Sequence, residues 1–266
     1  MKKQEDSGQA QNGSISTTKM SGLNVCIYGS RETMGRKAAG MVCRKIGDLL
    51  KHQDFVNIIF AAAPSQNEFL AELCMNKSTD WKRVNAFHMD EYIGLPQNDP
   101  HTFAAWLKEK IFGRLPFHSI NYINGNGPDL NAECKRYAKL LLEYPPDLVC
   151  MGIGENEHIA FNDPHTADFK DPARVKIVSL DVASRQQQIN DGCFAELNEV
   201  PTHALTLTIP TLMAGKYIYC MVPGEKKAGA VYNTLYGELI EKHPSAILRT
   251  HPNAALFLDK DSGSLL

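Results

Sequence analysis

Short apolar runs and longer stretches with an apolar residue at every third or fourth position take turns along this chain. Val25-Cys26-Ile27-Tyr28 reads as a strand. From Arg31 to Leu50 the spacing turns helical, with Met34, Ala38, Met41, Val42, Ile46 and Leu49 on one stripe. Phe55 to Phe60 is a second buried strand, and Pro64-Ser65 opens a helix carrying Phe69, Leu70 and Leu73. Arg83 to Ala86 is a half-apolar strand candidate. Phe103 to Ile111 and Leu130 to Tyr144 are helical, the second stopping before Pro145-Pro146. Leu148 to Met151, Val175 to Leu180, Ala204 to Ile209, Lys216 to Val222 and Ala255 to Leu258 are further strands, and Ala228 to Leu239 is a helix. This alternation predicts an α/β fold: an open, mostly parallel sheet with helices on both faces.

At 266 residues the chain is long enough for one large α/β domain. No repeat or linker breaks residues 23–260, so residues 23–266 are expected to form a single unit. Residues 1–22 begin with Lys2 and Lys3 and are rich in Gln, Ser, Gly and Thr. They hold too little apolar surface to offset the entropy of ordering, and are expected to be a disordered leader without the apolar core of a secretory signal. The formal charge of -2 offers no field to nucleic acid or to an anionic membrane. No apolar run reaches the ~18–20 residues that cross a bilayer. The seven cysteines are scattered, without a CxxC pair, and Cys26, Cys150 and Cys220 sit inside apolar runs as small hydrophobes. A reducing cytoplasm fits this usage.

Candidate chemistry gathers at the ends of predicted strands. After Leu148–Met151 comes Gly152-Ile153-Gly154-Glu155-Asn156-Glu157-His158, running on to Asn162-Asp163-Pro164. A strand, a glycine turn and a polar cluster are how an open α/β sheet presents a site at its carboxyl edge. His158 is the side chain suited to taking and returning protons near neutral pH. The second cluster, Phe87-His88-Met89-Asp90-Glu91-Tyr92, follows the Arg83–Ala86 run. Asp90 and Glu91 occupy consecutive strand positions and point to opposite sides, so one of them readily faces a shared cleft. A cleft facing both clusters would pair a carboxylate base with a histidine. Ser65 stands where a helix N-terminus would offer N–H groups to an anion, although it reads equally as a plain N-cap. Lys227, in Pro223-Gly224-Glu225-Lys226-Lys227, could act as a point charge on a phosphate. Arg185 could add a forked contact, or belong to a surface helix.

The segments His88 to Pro96 and Gly152 to Pro164 resemble the two signature segments of the glucosamine-6-phosphate deaminase (isomerase) family, whose fold is shared with the 6-phosphogluconolactonases. Gly125 to Asp129, Ala204 to Thr208, Pro223 to Ala228 and His251-Pro252 follow in the family's order, so the resemblance covers roughly residues 25–260. It implies a modified Rossmann-type fold and an aldose–ketose isomerisation with loss of ammonia. The small-molecule partner is a sugar phosphate, and no cofactor or metal is required. Carried over by position, His158 opens the pyranose ring, Asp90 moves the proton from C2 to C1, and Asp163 polarises His158. Lys227 and Ser65 fall on phosphate-binding positions, Arg185 lies near another, and Glu91 is a further substrate-binding candidate. Family members range from monomers to hexamers, which leaves a homo-oligomer open.

The chain departs from the family pattern at named positions. Asn156 replaces an aspartate two residues before the histidine, and Asp163 replaces a glutamate. Glu157 replaces a glycine, placing a bulky anion at or near the pocket mouth. Ala61-Ala62-Ala63-Pro64 stands where a Thr-Gly-Gly-Thr type of turn is common. The leading expectation is conversion of glucosamine 6-phosphate and water into fructose 6-phosphate and ammonia. The alternatives are the galactosamine epimer as substrate, a lactone hydrolase, and a sugar-phosphate-binding protein without catalysis. Tyr92 argues against the lactonase, which carries arginine there.

Overall fold

The computed structural model describes residues 14–96 and 99–266. Its strands are β1 (Ser14–Met20), β2 (Leu23–Tyr28), β3 (Val56–Phe60), β4 (Val84–His88), β5 (Asp90–Tyr92), β6 (Ser119–Asn121), β7 (Leu148–Met151), β8 (Val175–Ser179), β9 (His203–Leu207), β10 (Tyr217–Val222) and β11 (Ala254–Asp259). Its α-helices are α1 (Arg31–Leu49), α2 (Asn67–Met75), α3 (Phe103–Leu107), α4 (Leu130–Glu143), α5 (Val182–Asn190), α6 (Ile209–Met213) and α7 (Ala228–Tyr236).

Eight strands form the main sheet in the order β1-β2-β11-β10-β7-β3-β4-β6. All its pairings are parallel except β1 with β2. The apolar runs are continuous because the central strands are covered on both sides. Along β10, Tyr219 and Met221 enter one core with α1 and α2 side chains such as Met34, Val42 and Phe69. Ile218, Cys220 and Val222 enter the other, with Tyr137 of α4, Leu212 of α6 and Val231 of α7. The strand period of two thus feeds two cores, and helices lie on both faces as the alternation predicted. No helix of the described residues is long and apolar enough to cross a membrane.

Three features differ from the sequence-based expectation. First, β1 lies inside the stretch expected to be a disordered leader, although residues 1–13 fall outside the described residues. Antiparallel pairing along β2 engages the inward-facing half of its backbone, and its place at the sheet edge leaves the other half to water. Ser21 (φ 48°) and Gly22 (φ 89°) make the two-residue turn with positive φ that suits a tight hairpin. Second, β8 and β9 leave the parallel sheet and form a separate antiparallel sheet with β5, in the order β5-β9-β8. Third, the helix expected over Phe103–Ile111 is α3 followed by a π-helical turn, Lys108–Phe112.

Candidate active site

Between β4 and β5 the chain crosses from one sheet to the other, and this crossing carries Asp90. It is held from several sides. The Tyr137 hydroxyl donates to the His88 carbonyl (2.9 Å), the His88 ring accepts from the Ile123 N–H (2.8 Å), and the Leu207 N–H donates to the Met89 carbonyl (2.8 Å). Burial pulls the His88 pKa down to about 4, which keeps the ring neutral and able to accept. Asp90 and His158 line one small cleft of about 60 Å³, together with Ser65, Gln66, Gln187 and Gln188. Burial, and then the charge of Glu91, push the Asp90 carboxyl well above the usual range. A roomier cleft of about 730 Å³ opens on the Glu91 side. Its buried acid is spent on backbone N–H groups, so the smaller cleft is where proton-handling groups meet.

His158 is fixed by a polar network. Its Nδ1 lies 2.6 Å from Asn156 Oδ1, 2.9 Å from Ser184 Oγ and 3.3 Å from Asp163 Oδ1. Asn156 Nδ2 donates to Asp163 Oδ1 and to Asp181 Oδ2, both at 3.0 Å. With its amino end committed to two carboxylates, the amide must present oxygen to the ring. The proton therefore belongs on Nδ1, and Nε2 is the free base. Asp163 is fully buried; burial alone would raise its pKa, but hydrogen bonds from His158, Ser184 and Asn156 hold it down at about 2. The ring packs flat against Gly154, where a Cβ would come within 2.2 Å of it.

Sequence reading missed Ser184 and Asp181. Their signal was Asp181-x-x-Ser184 at the start of α5, where the Asp181 side chain caps the Ser184 N–H at 2.6 Å. Asp163, His165 and Asp181 bring one potential ligand atom each within 4.8 Å of one another. Two of the three are carboxylates already engaged by Asn156.

Other expected residues fall elsewhere. Arg185 does not reach the cleft: its guanidinium donates to the carbonyls of Val200 (2.9 Å) and Leu197, pinning the loop after α5. Glu91 also turns away, accepting from the N–H groups of Tyr92 (2.9 Å), Phe103 (3.0 Å) and Ala104 (2.8 Å) at the start of α3. Burial raises its pKa to about 7 despite those donors. Nor does Glu157 load the pocket with charge. Its carboxylate binds Asn233 of α7 (2.7 Å) and His243 (2.6 Å), with its backbone at φ 72°.

Ser65 does line the cleft, within a 3-10 turn, Pro64–Gln66, that precedes α2. Gln66 Nε2 donates to Ser65 Oγ (3.2 Å) and to the Met221 carbonyl (3.3 Å). Gly152 permits this contact, since a Cβ there would stand 3.1 Å from Gln66 Nε2. Lys227 lies in the 3-10 turn at the end of β10, buried, with an ammonium that has no partner among the described residues. Burial lowers its pKa to about 8, opposed by the charges of Asp191 and Glu155.

The chain is 37% identical over 220 residues to a glucosamine-6-phosphate deaminase of Bacillus cereus, covering 83% of this chain and 82% of that relative. A glucosamine-6-phosphate deaminase of Bacillus cytotoxicus is 35% identical over 243 residues, covering 91% and 89%. The solved structure of a monomeric glucosamine-6-phosphate deaminase superposes with a TM-score of 0.83 at 28% identity, over 91% of this chain and 99% of that one. A 6-phosphogluconolactonase from Thermotoga maritima shares the fold at a TM-score of 0.72 and 17% identity, over 89% of this chain and 100% of that one. A family model described as glucosamine-6-phosphate isomerases/6-phosphogluconolactonase matches residues 29–257. With its paired signature segments meeting in one cleft, the chain belongs to that family.

Proposed function

We propose that the chain converts glucosamine 6-phosphate and water into fructose 6-phosphate and ammonia. The observation that carries this reading is the meeting of Asp90 and a tautomer-fixed His158 in one cleft. His158, with Nε2 unprotonated, moves the proton at the ring oxygen as the pyranose opens. Asp90 then takes the C2 proton while the C2 ammonium passes one proton to the C1 oxygen, leaving an enolamine across C1 and C2. Its raised basicity lets it hold that proton and deliver it to C1. The product carries an iminium at C2; water adds there and ammonia leaves, giving the ketose. Asn156, Asp163 and Ser184 keep the imidazole aimed through the cycle. Incubation with glucosamine 6-phosphate should release ammonia and fructose 6-phosphate in equal amounts. Asp90→Asn should abolish both while leaving the circular dichroism spectrum intact; retained turnover removes Asp90 as the base.

A further inference from the structure

Glu157 stands next to the proton-handling histidine in a conformation that glycine usually takes. Its backbone lies in the left-handed region at φ 72°, and its carboxylate is buried. A buried carboxylate is held in place only where donors meet its oxygens. Here Asn233 of α7 donates to Oε1 (2.7 Å), and His243 Nδ1 lies 2.6 Å from Oε2. Because carboxylate oxygens accept, the proton of that contact sits on His243 Nδ1, in the neutral ring as much as in the imidazolium.

His243 is itself placed by a stiff shelf. It precedes Pro244 at the start of the 3-10 segment Pro244–Thr250, whose Ser245 and Leu248 are fully buried. Ser245 Oγ lies 2.6 Å from Thr234 Oγ1 of α7, and the Arg249 guanidinium donates to the carbonyls of Leu235 (3.0 Å) and Gly237 (2.7 Å). The Ser245 N–H reaches back to the Glu157 carbonyl (3.0 Å). Residue 157 is thus gripped at its carboxylate and at its backbone. Among the described residues, His243 is the only basic side chain within 4.0 Å of that carboxylate.

The grip bears on His158 through one turn. The Glu157 N–H donates to the Gly154 carbonyl (3.0 Å), and the Gly154 N–H donates to the His158 carbonyl (2.9 Å). Relaxing residue 157 to negative φ breaks this closure and carries the imidazole off Gly154 and away from Asn156. Asn156, Ser184 and Asp163 fix the rotation and tautomer of the ring, whereas the turn fixes where the ring stands. A proton carrier slightly displaced loses rate while the substrate binds as before.

We propose that His243 is a positioning residue for His158: by holding the Glu157 carboxylate it keeps residue 157 left-handed, and so keeps the neighbouring imidazole aimed into the cleft. This role rests on the deamination reading above, and it falls to a residue outside the cleft wall.

Two variants separate the donor from the ring. His243→Asn keeps a donor near the Nδ1 position, and His243→Phe keeps a ring without one. On glucosamine 6-phosphate, His243→Phe should lower kcat about tenfold with KM within about twofold of wild type, whereas His243→Asn should hold kcat within about threefold. Adding His243→Phe to Glu157→Gly should cost nothing further, because the carboxylate it acts through is gone. Wild-type kcat in His243→Phe, an equal loss in His243→Asn, or losses that multiply in the double variant each overturn the inference and leave the deamination reading standing. His243→Ala replaces His243→Phe should the latter not fold. An inactive wild type removes the deamination reading alone, and nitrogen NMR spectra of the His158 ring then decide. A single tautomer in wild type and His243→Asn, with averaged tautomers in His243→Phe, supports the positioning role; spectra that do not divide in this way end it.

Discussion

At Asn156 the direction of the side chain is dictated by its neighbours, since two carboxylates take its amino end. An aspartate there would add a third negative charge to Asp163 and Asp181 and would favour the imidazolium form of His158. Asn156→Asp should therefore move the acidic limb of the kcat/KM profile to higher pH; an unmoved limb contradicts the orienting role given to the amide. Asp163 supplies a stability prediction with a definite sign. Its folded value of about 2 lies below the ordinary aspartate value of 3.8, so its ionised form stabilises the fold above that value. The contribution is lost as pH falls through about 2. Asp163→Asn should flatten the loss of urea-measured stability between those pH values by on the order of 2 kcal/mol. At this scale the pair that lines the smaller cleft was legible, because Asp90 and His158 sit in specific motifs. Glu91 and Arg185 were not, because the direction of a side chain depends on what backbone stands opposite. Here that was the start of α3 for one and the Leu197–Val200 loop for the other.

The turn from Gly154 to Asn162 shows how an element can be held open for chemistry. It contains two non-glycine residues at positive φ, Glu157 at 72° and Ala160 at 49°. Such backbone costs roughly 1–2 kcal/mol per residue. Glu157 offsets it by anchoring to Asn233 and His243, while its carbonyl accepts from the Ser245 N–H at 3.0 Å. Glu157→Gly relieves the strain and removes the anchors together. Because His158 is the next residue, we expect kcat to fall roughly tenfold with KM nearly unchanged. Equal activity in the variant would show that the anchors do not steady the ring. Gly154 has no such latitude: Gly154→Ala drives a methyl into the imidazole and should abolish turnover. The helices and parallel strands could be read from apolar spacing, since α1 buries the stripe Met34, Ala38, Val42 and Ile46. The separate β5-β9-β8 sheet could not, because its pairings join segments far apart in sequence and periodicity does not name partners.

Across the whole molecule, the carboxyl ends of β3, β7 and β10 and the β4–β5 crossing converge on one edge. There they bring together the Ser65 turn, the His158 turn, Lys227 and Asp90. The fold therefore sets the neighbourhood of the reaction, and the local networks set its aim. The same topology gives β11 an unusual burden. It lies between β2 and β10, pairing in parallel with both, and every one of its residues is buried. A chain ending at residue 253 should show no cooperative thermal transition and should bind a hydrophobic dye; a sharp melt would show the sheet closes without that strand. During synthesis, β2 must wait for residues 254–259 before its open flank is filled. Nascent chains thus carry a raw sheet edge while the residues between the two strands are made, an interval in which holdase chaperones or sticky neighbours decide their fate.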